Sequence, residues 1–203
     1  MQVTIRDATD ADVAAITDIF NEVIATSDAI WREEPVTLDD RLGWFEALQN
    51  KGYPVLVADE ATPPDQPRVV GYLSLSDFRP FPGYWPTLEQ SLHLAPAARN
   101  QGVGTALVGA AVERARALGR RCLVAGTDAE NLGSIRFHER LGYREVGRLP
   151  GVGDRFGRTR DLVLLQLDLD AGRDPEGSRP PSDQDVSVDL TSTESVSPRR
   201  GAR

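Results

Sequence analysis

The stretch SLHLAPAARNQGVGTALVGAAVERARALG, Ser91 to Gly119, decides how this chain is read. A strand runs into a loop, and the loop into a helix predicted from Val103 to Leu118 with Gly119 as its C-terminal cap. The first turn of that helix is Asn100-Gln-Gly-Val-Gly-Thr105. The first amides of a helix have no partner inside it and sit at the positive end of its dipole. Glycines at 102 and 104 are expected to let an anion approach that backbone closely. Such a site needs no basic domain, so it is compatible with the formal charge of −8. The anion is not the one a P-loop holds, because Gly104 is followed by Thr105-Ala106 and not by Lys with Ser or Thr. A dinucleotide fingerprint is disfavoured by Leu107, which stands where a third small residue belongs. What remains is Arg99-x-x-Gly102-x-Gly104, a pattern that a plain strand-to-helix turn also produces.

Outward from this segment, strand and helix signals alternate. Val3 to Arg6 reads as a strand, and Thr9 with Asp12 as a helix start ahead of Val13, Ile16, Phe20, Val23 and Ile24. Thr37 with Asp40 opens a second helix that should stop at Gly52. Strands are predicted at Pro54–Ala58, Val69–Ser76 and Leu88–Leu94, the first two joined by the turn-rich ATPPDQP of 61–67. Leu123–Thr127 reads as a buried strand, Leu132–Leu141 as a short helix ended by Gly142, and Tyr143–Arg148 and Val163–Leu169 as closing strands. The expected architecture is one α/β domain over 1–169, a mixed and mostly antiparallel central sheet flanked by helices. Residues 170–203, rich in Ser, Pro, Asp and Arg without an aromatic anchor, are expected to form a disordered tail.

Composition excludes several classes. A chain of 203 residues with 40% hydrophobic and 27% charged side chains has an ordinary globular makeup. The negative charge disfavours nucleic acid and anionic membrane surfaces as partners. No apolar run approaches transmembrane length, and Met1–Arg6 lacks the pattern of a signal peptide, so a cytoplasmic address is expected. The single cysteine, Cys122, suits a reducing compartment and reads as a buried thiol. Two histidines and one cysteine, not spaced as ligands, point to no metal site.

The Arg99–Gly104 pattern resembles the pyrophosphate-binding segment of the Gcn5-related N-acetyltransferase (GNAT) superfamily, which uses acetyl-coenzyme A. NLGSIRFHERLGY, Asn131 to Tyr143, resembles that superfamily's following helix. A finer resemblance covers roughly Ile5 to Leu169 and is to one branch, the phosphinothricin and methionine sulfone/sulfoximine N-acetyltransferases. It rests on AIWREEPV (Ala29–Val36), RLGWFEALQNKGYPVLVAD (Arg41–Asp59), DFRPFPGY (Asp77–Tyr84), TLEQSLHL (Thr87–Leu94), RFHERLGY (Arg136–Tyr143) and EVGRLPGVG (Glu145–Gly153). Two departures stand out. The branch often reads HSVYV where this chain has Gln90-Ser-Leu-His-Leu94, and a Trp-Leu pair where Thr159-Arg160 follow Gly157-Arg158. The second departure is expected to reshape the substrate pocket.

The resemblance implies a homodimer that transfers acetyl from acetyl-CoA directly to the α-amine of a small amino acid or analogue. Another amine (a drug or a peptide N-terminus), or a coenzyme-binding sensor without turnover, are the alternatives. An amino-acid amine is protonated at neutral pH, so a base is needed. Glu89 matches the family's carboxylate at that place, although a strand-end glutamate is also commonly just solvated. Main-chain N–H groups around Leu92, His93 and Leu94 are implied for the oxyanion, and Asn100, Gln101, Gly102, Val103, Gly104, Thr105 and Asn131 for the coenzyme. His138 stands where many members carry a tyrosine that protonates the leaving thiolate; a surface imidazole is the other reading. Arg79, Pro80, Phe81 and Tyr84 of the irregular loop, and Arg155 of a late glycine-flanked loop, are the substrate-binding candidates. Trp31 either walls the pocket or packs.

Overall fold

The computed structural model describes residues 1–60 and 68–171. The expected link at 61–67 and all but the first two residues of the expected tail lie outside the described residues. In chain order the elements are β1 (Val3–Asp7), α1 (Val13–Thr26), α2 (Leu38–Asn50), β2 (Val55–Glu60), β3 (Arg68–Asp77), β4 (Thr87–Leu94), α3 (Val103–Ala117), β5 (Cys122–Asp128), α4 (Leu132–Arg140), β6 (Arg144–Arg155) and β7 (Arg158–Asp168). The strands form one sheet in the order β1-β2-β3-β4-β5-β7-β6. Only β4 and β5 run parallel; every other pairing is antiparallel, as the sequence predicts.

The helix starts follow from short polar side chains. Thr37 accepts from the Asp40 amide while Asp40 accepts from the Thr37 amide, a reciprocal cap for α2. Thr9 and Asp12 make the same box, but it opens a single 3-10 turn that hands over to α1 at Val13. Along β2, Val55 to Ala58 are buried on both faces because helices cover both sides of the sheet. Fully buried Leu73, Leu75, Leu88, Leu107 and Leu123 contribute on the order of 2 kcal/mol each to this core.

The last two strands are far longer than expected. The expected strand stops at Arg148, whereas β6 runs on through Pro150, Gly151 and Gly153. It is the edge strand of the sheet, where a missing proline N–H leaves no ladder bond unmade. The irregularity is absorbed by a register shift between Leu149 and Gly153.

One feature of the sheet positions the site. β4 pairs with β3 along its length, to Leu94 opposite Gly71, but with β5 only as far as Gln90 opposite Ala125. Beyond that point the parallel strands part. The Ala95 amide donates to Val70 on β3 at 3.0 Å, so by alternation the polar main-chain groups of Ser91 and His93 also face β3. Those of Leu92 and Leu94 face the gap.

Candidate active site

A cleft of about 1050 Å³ runs through this gap and joins the two faces of the sheet. On one face it is lined by the start of α3 and by α4; on the other, by α1 and the segment that follows it.

The α3 end is built as an anion cradle. Gly102 caps the helix at φ +82° and Asn100 precedes it at φ +59°, so the chain turns sharply and directs its amides into the cleft. The first amide to bond back is that of Ala106, to the Gly102 carbonyl at 3.1 Å. Arg99, Asn100, Gly102, Gly104 and Thr105 line the cleft, and Arg140 adds a second cation to its rim. Of the other expected coenzyme residues, Gln101 is exposed and Val103 is in the core, leaving them only their main chains.

Gly104 lines the cleft and also serves a second purpose. A Cβ there would lie 3.1 Å from Cζ of Phe137 on α4, so the glycine lets two helices pack closely. Gly104→Val is expected to destabilise the protein by about 1–3 kcal/mol through overpacking, read as a lowered Tm. It should also raise the KM for the coenzyme, because the first turn moves with the helix.

Asn131 caps α4, its Oδ1 accepting from the Ser134 amide at 3.0 Å. Its Nδ2 remains as a donor at the cleft wall. His138 is held through both ring nitrogens. Nδ1 donates to the Ser134 carbonyl at 2.9 Å, and Nε2 lies 3.1 Å from Nε2 of Gln90. Gln90 is held in that orientation by the Tyr143 hydroxyl, which donates to its Oε1 at 2.7 Å. Burial further holds the imidazole below its ordinary pKa. With the Gln90 amide beside it, Nε2 is placed to accept a hydrogen bond from that side chain. In this arrangement His138 lines the cleft and also ties α4 to β4 through Gln90.

On the other face, Glu89 is half-buried and lines the cleft. Its Oε1 lies 3.8 Å from where a Cβ on Gly126 would sit, alongside the parting of β4 and β5. Burial raises its pKa, and the Arg79 charge offsets part of that rise. His93 shares this face, its ring edge-on to Phe20 at 5.4 Å, and burial followed by the Arg41 charge pushes its pKa down to about 4. Since its main chain faces β3, only Leu92 and Leu94 of the three expected residues offer amides to the gap.

The expected substrate loop lies outside the cleft of a single chain. Arg79 and Pro80 are exposed, as are Phe81 and Tyr84, and Arg79 donates to the Phe78 carbonyl at 2.8 Å. The closed pocket expected from Phe81 and Tyr84 is thus not formed by one chain. Arg155 departs further from expectation. It ends a strand, is 5% exposed, and donates to the carbonyls of Ile24, Ser27 and Ile30, closing the C-terminal end of α1.

In place of these residues the cleft ends in a charged floor that was not singled out from the sequence. Arg160 on β7 donates to Asp128 at 2.6 Å, to Glu130 at 2.9 Å and to Asp28 at 3.3 Å. Asp128 also accepts from the Trp31 indole at 2.9 Å, and that ring lies on Gly153, where no Cβ would fit. Trp31 therefore packs against the sheet behind the cleft. The one signal for this floor was the Thr159-Arg160 departure from the branch pattern.

The acetyltransferase (GNAT) family model matches residues 16–143, and the chain belongs to that family. It is an acetyl-CoA-dependent N-acetyltransferase. Among its relatives, it is 42% identical over 173 residues to an L-methionine sulfoximine/L-methionine sulfone acetyltransferase of Pseudomonas aeruginosa, covering 85% of this chain and 98% of the other. It is 34% identical over 170 residues to a phosphinothricin N-acetyltransferase of Alcaligenes faecalis, covering 83% and 84%. A GNAT superfamily phosphinothricin acetyltransferase from Sinorhizobium meliloti, solved in complex with acetyl-CoA, superposes with a TM-score of 0.79 at 32% identity, covering 90% of this chain and 98% of that one.

Proposed function

We propose that this enzyme acetylates the α-amine of a small amino acid or analogue of the phosphinothricin, methionine sulfone or methionine sulfoximine type. The observation that carries the reading is the half-buried Glu89 on one side of the β4–β5 gap, with the free Leu92 and Leu94 amides in that gap. The names of the relatives favour the same substrates. The pyrophosphate of the coenzyme meets the α3 amides with Arg99 and Arg140, and its arm passes Asn131 toward the gap. Glu89 takes the ammonium proton, directly or through water, and the freed amine attacks the thioester carbonyl. The oxyanion that forms is stabilised by a β4 amide. Collapse breaks the C–S bond, the attacking nitrogen gives up its remaining extra proton to water, and the thiolate takes a proton from solvent, a step that needs little help for a thiol of pKa ~8.5.

A homodimer in the cytoplasm completes the reading. Phe81, Tyr84, Val146, Val152 and Phe156 are exposed apolar side chains on the β3–β4 loop, the edge strand and the turn after it, as a dimer interface requires. No described helix is long and apolar enough to cross a membrane. The test is thiol release from acetyl-CoA with the three analogues, ordinary amino acids and a basic peptide. Turnover confined to amino-acid amines is expected. Turnover on the peptide alone overturns the substrate, and coenzyme binding without turnover on anything identifies a sensor.

A further inference from the structure

The charged floor of the cleft contains a loosely filled anion site. Arg155 and Arg160 are 5% and 4% exposed, so both guanidinium groups are held inside the protein. They converge on one carboxylate, Asp28, at 3.5 Å from Arg155 Nε and 3.3 Å from Arg160 Nη2. These are the longest contacts either arginine makes in the cluster, and Arg155 Nε makes no hydrogen bond at all. Asp28 is half-exposed and lies on the irregular segment after α1, whereas Asp128, the tighter partner of Arg160, is fully buried. Arg160 at the cleft and Arg155 just behind it therefore share one half-exposed acceptor, at longer distances than their other contacts. A buried guanidinium N–H gains most from a short charge-assisted bond, so an incoming acceptor has an advantage over Asp28 at this point.

The floor shares a face with the base. Glu89 pairs with Val124, so its side chain lies on the face of Val124, Gly126 and Asp128. Arg160 follows on the same face of β7, two residues from Leu162, the partner of Asp128. The Glu89 carboxylate reaches the level of Gly126, and Asp128 is two residues further, roughly 7 Å at ~3.3 Å per residue. In methionine sulfone and phosphinothricin the terminal oxygen is five bonds from the amine nitrogen, a matching span at ~1.5 Å per bond before the zigzag.

We propose that Arg160, with Arg155 Nε beside it, binds the oxygen-bearing end of the substrate's side chain in place of Asp28, and so selects amino acids that end in an acceptor at that reach. This rests on the amino-acid reading above and names the residue that sets selectivity within it. An apolar side chain of the same length leaves the Asp28 contacts as they are and draws nothing from either arginine.

The experiment compares kcat/KM for methionine sulfone and for norleucine, which has the length without the acceptor. In Arg160→Leu the sulfone-to-norleucine ratio is expected to fall tenfold to a hundredfold, the range one charge-assisted hydrogen bond supplies. In Asp28→Asn, a change at a half-exposed position that removes the competing charge, KM for the sulfone is expected to fall about threefold or more while that for norleucine stays. An unchanged ratio in a folded Arg160→Leu protein overturns the proposal, as does an unchanged or raised sulfone KM in Asp28→Asn. Wild-type enzyme that turns over other amines but neither amino acid overturns the amino-acid reading and this proposal together. Wild-type turnover with unaltered selectivity in both variants overturns this proposal alone.

Discussion

Glu89→Gln is expected to lower kcat by about 10²–10⁴-fold at neutral pH, the usual contribution of a positioned base. Glutamine keeps the size of the side chain and cannot take a proton, so coenzyme affinity should stay close to that of the wild type. The deficit should also close as pH rises, because solution then supplies the free amine that Glu89 otherwise generates. In the wild type, activity rises with pH as Glu89 ionises. Burial raises that pKa, with Arg79 opposing it, so the acid limb should lie above the ordinary glutamate value. A variant with the wild-type rate at neutral pH, or a deficit independent of pH, would remove Glu89 from the mechanism.

The largest loss of stability is expected from Asp128→Ala. Its carboxylate is buried and accepts from Arg160, the Trp31 indole and the Glu130 amide. Removing it takes from a buried guanidinium its one buried carboxylate, leaving the more exposed Glu130 and Asp28, and unpairs the Trp31 indole, which together cost about 3 kcal/mol; in a chain of this size that lowers Tm by ~6–12 °C. Burial acts to raise the Asp128 pKa, but the bonds from Glu130, Arg160 and Trp31 outweigh it and hold the group below its ordinary value. Its contribution is therefore complete above the unfolded carboxylate pKa of ~3.9 and is lost as pH falls through the lower folded value. Thermal melts from pH 7 downward should show the wild-type advantage over Asp128→Ala shrinking in that acid range. An advantage that persists unchanged there would mean that Asp128 acts through packing and not through charge.

Much of this protein was legible because its determinants are local. The Thr37–Asp40 cap, the alternation along β4 and the glycine-marked helix ends act within a few residues, and each element was found close to its predicted limits. The parting of β4 from β5 was not legible, because it depends on how two strands paired across 35 residues of sequence diverge. The length of β6 was not legible either, since nothing local says that it would be an edge, where Pro150 and the nearby glycines are tolerated. The contacts that His138, Gly104 and Arg155 make were not legible for one reason: each has a partner distant in sequence, namely Gln90, Phe137 and the carbonyls ending α1. The sequence by itself determined the elements, the family and the place of the coenzyme turn, because periodicity and capping are short-range. Only the tertiary structure decided which arginine faces the cleft and which closes the end of α1, because burial and hydrogen-bond geometry arise when β5, β6, β7 and the segment after α1 meet.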